Sequence, residues 1–314
     1  MKDSIWNLIN DSNSILVLTH ESPDGDAIGS SMAFYHMLKD RNKNVDIVIP
    51  ELPITFNYLN SIEDIKTNSD KAYDLAIIVD CANKERVAQS NDEITRCKKT
   101  IVIDHHISNS NYGEYNYVEG ETASCAQVIY YLFKEWNVNI TNDIGEALIT
   151  GSLTDTSGFR NNNVNKNTFL MAAELMDIGI DIHRIYYLTI SQKTMAQYML
   201  MRMTLDRLEM YEDGKIAFSY ISHEDLENVG AKKGDHEGLV DLGRNIGGVE
   251  VSIFMREEDG YRISFRSNGK VNVNEIAKKI GGGGHMMAAG AKVSGNFKET
   301  KKKIIEDTIK ELNK

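Results

Sequence analysis

Asp104, His105 and His106 follow directly on the apolar run Ile101, Val102 and Ile103. Three neighbouring side chains able to bind a metal or move a proton therefore stand at the mouth of a buried strand. Strands without polar alternation belong inside parallel sheets, and such sheets take their ligands at the carboxyl ends of the strands. The arrangement recurs along the first half of the chain. Ile15 to Leu18 lead into His20, Asp24 and Asp26, Leu75 to Val79 lead straight into Asp80, and the apolar stretch Ala147 to Leu153 leads into Asp155. Four buried segments are thus expected to deliver acids or imidazoles.

Two carboxylates about 4 Å apart repel by roughly 4 kcal/mol at an effective dielectric near 20, and here four or five would converge. Without cations such a pocket is badly strained. Oxygen and imidazole donors without thiolate suit Mn²⁺, Mg²⁺ or similar ions, whereas a structural zinc site favours Cys. Paired ions are the usual solution for phosphoryl chemistry, so the donor set reads as a two-metal hydrolase. Each motif taken singly has a plainer reading. Asp24-Gly25-Asp26 could be a turn, Asp80 a cap on the segment 84–88, and His105 with His106 a satisfied loop pair. Jointly those readings fail, because each would have to place its side chain at a strand end independently.

Strand-like segments at 15–19, 45–49, 75–80 and 100–104 alternate with helical patterns at 27–40 and 122–136, and helices near 142–153 and 165–178 follow. That alternation predicts an α/β fold with a doubly wound, mostly parallel sheet. Residues 191–212, with Met195, Met199 and Met203 read as packing, are expected to form a connecting helix. A smaller α+β unit should follow, with strands near 215–221, 249–256 and 260–266 and helices near 236–245, 272–280 and 298–313. The expected division is 1–190, a connecting helix over 191–212, and 213–314.

The set His20-Glu21-Ser22-Pro23-Asp24-Gly25-Asp26, Val79-Asp80, Asp104-His105-His106 and Thr154-Asp155-Thr156 resembles the four motifs of the DHH phosphoesterases. Gly281 to Gly284, followed by His285 and by Ala288-Ala289-Gly290, resembles the glycine-rich signature of the associated DHHA1 domain. The order and length are most similar to the small bacterial nano-RNases that also dephosphorylate 3′-phosphoadenosine 5′-phosphate. The resemblance implies a catalytic, metal-binding DHH domain and a substrate-binding DHHA1 domain. It implies one Mn²⁺ on His20, Asp24 and Asp80 and a second on Asp26, Asp80, His105 and Asp155, with Asp80 bridging; Mg²⁺ or Co²⁺ are the other candidates. His106 would face the substrate phosphate as a catalytic group, and Asp104 would support a histidine. In the second domain Arg266, Ser267, Gly283, Gly284 and His285 would bind substrate, although Gly281 to Gly284 alone would read as a flexible turn.

Charge bears on the partner. Residues 1–190 carry 15 Lys and Arg against 27 Asp and Glu, and residues 191–314 carry 20 against 19. An acidic catalytic half disfavours a long polyanion track, since nucleic-acid affinity comes largely from neutralised phosphates. The segment 244–292, with eight basic and five acidic residues, is where a local phosphate grip is expected. Short RNA oligonucleotides and small nucleotides are therefore the expected partners, without long nucleic acid. No apolar run approaches the roughly 20 residues that span a membrane. The polar start lacks a signal-peptide core, and Cys81, Cys97 and Cys125 show no paired spacing. A cytoplasmic protein is expected, and the resemblance implies a homodimer. The expected activity is Mn²⁺-dependent hydrolysis of short oligoribonucleotides, including linear dinucleotides, to mononucleotides, and of 3′-phosphoadenosine 5′-phosphate to AMP. The alternatives are a linear or cyclic dinucleotide phosphodiesterase, an inorganic pyrophosphatase, and a non-catalytic nucleotide-binding regulator.

Overall fold

The four expected strands of the first half are β1 (Ser14–Leu18), β2 (Asn44–Val48), β3 (Tyr73–Val79) and β4 (Cys97–Asp104). A fifth, β5 (Tyr115–Val118), was not expected; its Tyr and Asn residues are only half-buried, as befits an edge position. The computed structural model describes residues 1–232 and 234–314. All five strands run parallel in the order β2-β1-β3-β4-β5. The helices of this unit are α1 (Lys2–Asp11), α2 (Gly25–Asp40), a short α3 (Asn91–Thr95), α4 (Cys125–Glu135), α5 (Asn142–Asp155), α6 (Lys166–Asp177) and α7 (Ile182–Tyr186).

Helix α2 is buried at every position from Gly25 to Leu38, so it lacks the polar face of a surface helix. Its Ile28, Met32 and Phe34 share one core with Ile15 and Val17 of β1 and with Leu148 and Ile149 of α5. Two glycines allow the helices to approach closely. A Cβ on Gly29 would meet the Ala147 carbonyl at 2.3 Å, and one on Gly151 would meet Asp26 Oδ1 at 2.6 Å. This close passage brings the carboxyl end of α5 to the amino end of α2. Asp155 is the last residue of α5, the helix expected near 142–153.

The chain divides into units Met1–Gln192 and Lys193–Lys314. The second holds α8 (Met195–Asp206), β6 (Glu209–Tyr211), β7 (Ile216–Ile221), α9 (His223–Asn228), α10 (Leu239–Arg244), β8 (Val251–Glu258), β9 (Gly260–Ser267), α11 (Val273–Lys278), β10 (Gly283–Gly284), β11 (Ala288–Val293) and α12 (Phe297–Leu312). Its mixed sheet runs β10-β11-β9-β8-β7-β6. Phe218, Ile253 and Phe265 pack with Ile276 of α11 and Ile304 of α12, while Phe254 packs with Leu200 of α8 and Val240 of α10. The helix read as a connector is thus α8, and its Leu200 helps build the second core. Met203 packs there as expected, but Met195 and Met199 are exposed. Among the described residues, no helix is long and apolar enough to cross a membrane.

Candidate metal centre and substrate-side hairpin

His20 follows β1, Asp80 follows β3, and Asp104 ends β4 with His105 and His106 after it. Asp24 caps α2: its Oδ1 accepts from the backbone N–H groups of Asp26 and Ala27 at 3.0 and 3.1 Å. Asp26 lies in the first turn of the same helix. Three groups of donor atoms, each within 4.8 Å of one another, result: His20 with Asp24 and Asp80; Asp26 with His105 and Asp155; and Asp80 with His105 and His106. All six residues expected to hold metal are brought together.

Asp80 stands at the meeting point. Its Oδ2 is 3.7 Å from His20 Nε2, and its Oδ1 is 3.6 Å from His105 Nε2 and 3.7 Å from His106 Nδ1. The residue is 2% exposed and has a left-handed backbone, φ 54°, which Asp tolerates better than most residues. Its Oδ1 has no hydrogen-bond partner. A buried carboxylate oxygen left unpaired is costly, and a cation among these donors would remove that cost. The donor set therefore fits divalent metal.

The histidine tautomers agree. Nδ1 of His20 lies 2.7 Å from the Glu21 carbonyl and Nδ1 of His105 lies 3.3 Å from the Thr122 carbonyl. A carbonyl accepts, so each Nδ1 carries the hydrogen and each Nε2 turns a lone pair toward the carboxylates. Arg86 Nη2 also comes within 3.0 Å of His20 Nδ1, and as a second donor it does not pair with a protonated nitrogen.

Asp26 is held from behind by the amino end of α4. Its Oδ2 accepts from Cys125 N–H at 2.6 Å and its Oδ1 from Ala126 N–H at 2.9 Å. Burial pushes its carboxyl well above the ordinary range, the charges of Asp80, Asp155 and Asp24 add to that, and the Ala126 N–H opposes it. Asp155 is pushed up to about 6, first by burial and then by Asp80 and Asp24, against the pull of His105. Both shifts come first from burial and then from repulsion within the acidic cluster.

Asp104 is fully buried and supports its neighbours. Its Oδ1 accepts from His105 N–H at 2.8 Å and lies 2.7 Å from His106 Nδ1, and its Oδ2 accepts from Asn109 Nδ2 at 2.6 Å. Burial alone would raise the Asp104 pKa, but His106 and Asn109 outweigh it and hold it low. The same pair raises His106: the hydrogen bond to Asp104 outweighs burial. The charged form of His106 is therefore favoured, and Asp104 orients the ring with Nε2 left to donate. Asn109 had no signal in the sequence, since nothing in its neighbourhood marks it apart from a polar loop. Asn109→Ala is expected to lower kcat on the order of tenfold by freeing the Asp104–His106 pair, with KM and melting temperature little changed. An unaltered kcat at saturating substrate would remove Asn109 from the site.

The second half of the glycine run, Gly283 and Gly284, is a short strand. Gly283 and Gly284 pair with Gly290 and Ala289, and a Cβ on Gly282 would meet the Gly290 carbonyl at 2.2 Å. The reversal is closed by His285 N–H donating to the Ala288 carbonyl at 2.7 Å, which leaves Gly283, Gly284 and His285 exposed at its tip. Arg266 lies opposite Ala288 on β9. Ser267 departs from expectation. It is fully buried, its hydroxyl accepts from Gly269 N–H at 3.1 Å, and its own N–H donates to the Met287 carbonyl at 2.9 Å. It therefore braces the hairpin instead of presenting a hydroxyl at the surface.

Comparison with known proteins places both units. Residues 14–152 match the model of the DHH family N-terminal domain, and residues 213–314 match that of the DHHA1 domain. The chain is similar to the bifunctional oligoribonuclease and PAP phosphatase NrnA of Thermus thermophilus, at 31% identity over 96% of this chain and 90% of that protein. The protein of the same description from Bacillus subtilis is 28% identical over 93% of each. A crystal structure of an exopolyphosphatase-related protein from Bacteroides fragilis matches with a TM-score of 0.92 at 27% identity, covering 98% of this chain and 95% of that one.

Proposed function

The chain belongs to the DHH family of phosphoesterases and is a hydrolytic enzyme, and from that premise we propose that it hydrolyses short oligoribonucleotides to mononucleotides and 3′-phosphoadenosine 5′-phosphate to AMP. The observation that carries the reading is the unpaired, buried Oδ1 of Asp80 ringed by imidazole and carboxylate donors. Two Mn²⁺ ions, the cations suited to this donor set, would supply an activated water and neutralise phosphoryl charge.

The chain's own residues do the rest. His20, Asp24 and Asp80 would hold one ion, and Asp26, His105 and Asp155 would hold the other with Asp80. Because the two oxygens of Asp80 face different histidines, one carboxylate can serve both. The α4 N–H groups that grip Asp26 fix its orientation in advance, so binding does not have to order it. His106, oriented by Asp104 with its protonated form favoured, would donate from Nε2 to a phosphoryl oxygen or to the leaving oxygen. Arg266, His285 and the exposed backbone of Gly283 and Gly284 would bind the nucleotide, Arg266 through its forked donors.

Relatives described as oligoribonucleases and PAP phosphatases support this substrate class. The test is one assay series with Mn²⁺ that compares a linear dinucleotide, 3′-phosphoadenosine 5′-phosphate, a long single-stranded RNA, a cyclic dinucleotide and pyrophosphate. The first two are expected to turn over at least tenfold faster than the rest, about 1.4 kcal/mol of discrimination. A higher rate on pyrophosphate or on the cyclic dinucleotide would replace the reading with the corresponding alternative.

A further inference from the structure

We propose that the second unit carries a nucleotide-phosphate pocket built on Arg256 and Arg262, which shares Arg266 with the glycine–histidine hairpin. The inference rests on the substrate class just proposed and adds residues to it. Arg262, Ser264 and Arg266 alternate along β9 and so share one face of the sheet. The register sets Arg256 opposite Arg262 and Phe254 opposite Ser264 on β8. Together with His236 and Glu237, before α10, these side chains line a cavity of about 360 Å³. That is the lower part of the range for small-ligand sites.

Three arginines line this cavity against one carboxylate, that of Glu237. Like charges directly opposite on neighbouring strands destabilise a sheet, yet Arg256 and Arg262 form such a pair. Glu258 takes Arg256 Nη2 at 3.0 Å. Arg266 Nε reaches Asp241 Oδ1 only at 4.0 Å, and Arg244 lies nearer that oxygen, at 3.1 Å. Among the described residues, no carboxylate forms an ion pair with Arg262. Burial, with Arg256 and Arg262 beyond it, holds the His236 pKa below its ordinary value, so this ring is a neutral partner on the wall. An anion with several acceptor oxygens would satisfy the opposed arginines, and phosphate matches the guanidinium fork. Val240 and Phe254 add an apolar part to the lining, which suits the ribose or base attached to that phosphate. Arg262 is solvent-exposed, so water screens part of its charge; what sets it apart from a solvated face is that three arginines line one cavity.

Calorimetric titration of the full chain with AMP, in the presence of EDTA so that the metal cluster does not contribute, tests the pocket without depending on catalysis. Arg262→Gln is expected to weaken AMP binding by about tenfold, as for loss of a charge-assisted hydrogen bond, and Arg262→Lys by less. Inorganic phosphate is expected to bind more weakly than AMP, and equal affinity would overturn the nucleotide assignment. In the metal-loaded enzyme, Arg262→Gln should raise KM for a dinucleotide bearing a terminal phosphate and leave kcat and the KM of the unphosphorylated dinucleotide unchanged. AMP affinity unaltered in both Arg262→Gln and Arg256→Gln removes the pocket, whatever the enzyme hydrolyses. Weakened AMP binding in a protein inactive on every oligonucleotide would keep the pocket and remove the oligoribonuclease reading instead.

Discussion

Asp80→Asn is expected to lower hydrolysis of every phosphoester substrate by roughly a thousandfold or more while raising the melting temperature of the metal-free protein. The two effects have one cause. Asn keeps the size of the side chain and tolerates the left-handed backbone at this position, φ 54°, so the fold has no steric reason to fail. It removes the charge that faces His20 and His105 from the two carboxylate oxygens. It also removes a charge that raises both Asp26 and Asp155, so the cluster is less strained without cations. Addition of Mn²⁺ should then stabilise the variant far less than the parent protein. Thermal melts with and without Mn²⁺, run beside the activity assay, separate this from simple unfolding, which would lower the metal-free melting temperature. Retention of a tenth of the activity would refute a central role for Asp80.

The sequence made the first unit legible because its strands are unbroken apolar runs, and each run stops at a polar residue that can do chemistry. His20, Asp80 and Asp104 follow from that pattern alone. Asp155 required more: the apolar stretch before it is part of a helix, and its approach to Asp26 depends on Gly29 and Gly151 lying at the crossing. Periodicity does not say which glycines meet. The supports were less visible still. Asn109 and the N–H groups of Cys125 and Ala126 act through positions set by the chain's path, and the residue types around them would suit any loop or helix start. In the second unit the strand at Gly283 and Gly284 had no signal, because a two-residue strand has no periodicity to detect. Its pairing with Ala289 and Gly290 is a long-range fact. Ser267 was misplaced for the opposite reason: a short polar side chain next to Arg266 invites a shared role, while strand alternation sends the two to opposite faces.

In a chelated sample the protein is expected to become less stable as the pH rises from about 4 to beyond 6, and Mn²⁺ should reverse that trend. The Asp155 carboxyl is pushed up to about 6 in the folded protein, against about 3.9 for an ordinary aspartate, and Asp26 is raised in the same sense. A carboxyl with a raised folded pKa contributes its stability below the unfolded value, and loses it as the pH climbs through the folded one. For Asp155 the span corresponds to roughly 3 kcal/mol, at about 1.4 kcal/mol per pH unit. His20 and His106 are also raised, His20 because Asp80 and Glu21 outweigh burial and His106 chiefly by Asp104. Their contributions are present below pH 6.5 and decline above it, which extends the fall toward neutrality. Carboxylates held low, such as Asp104, Asp46 and Asp225, act in the opposite sense but at more acidic pH, below the window in question. Divalent cations bind the deprotonated forms and stabilise the folded state by mass action, so their effect should grow over the same interval. Urea midpoints at pH 5, 6 and 7, with EDTA or with Mn²⁺, test the prediction. A chelated protein whose midpoint is flat or rises across that range would mean that the acidic cluster is not strained, and the case for cations at Asp80 would lose its physical basis.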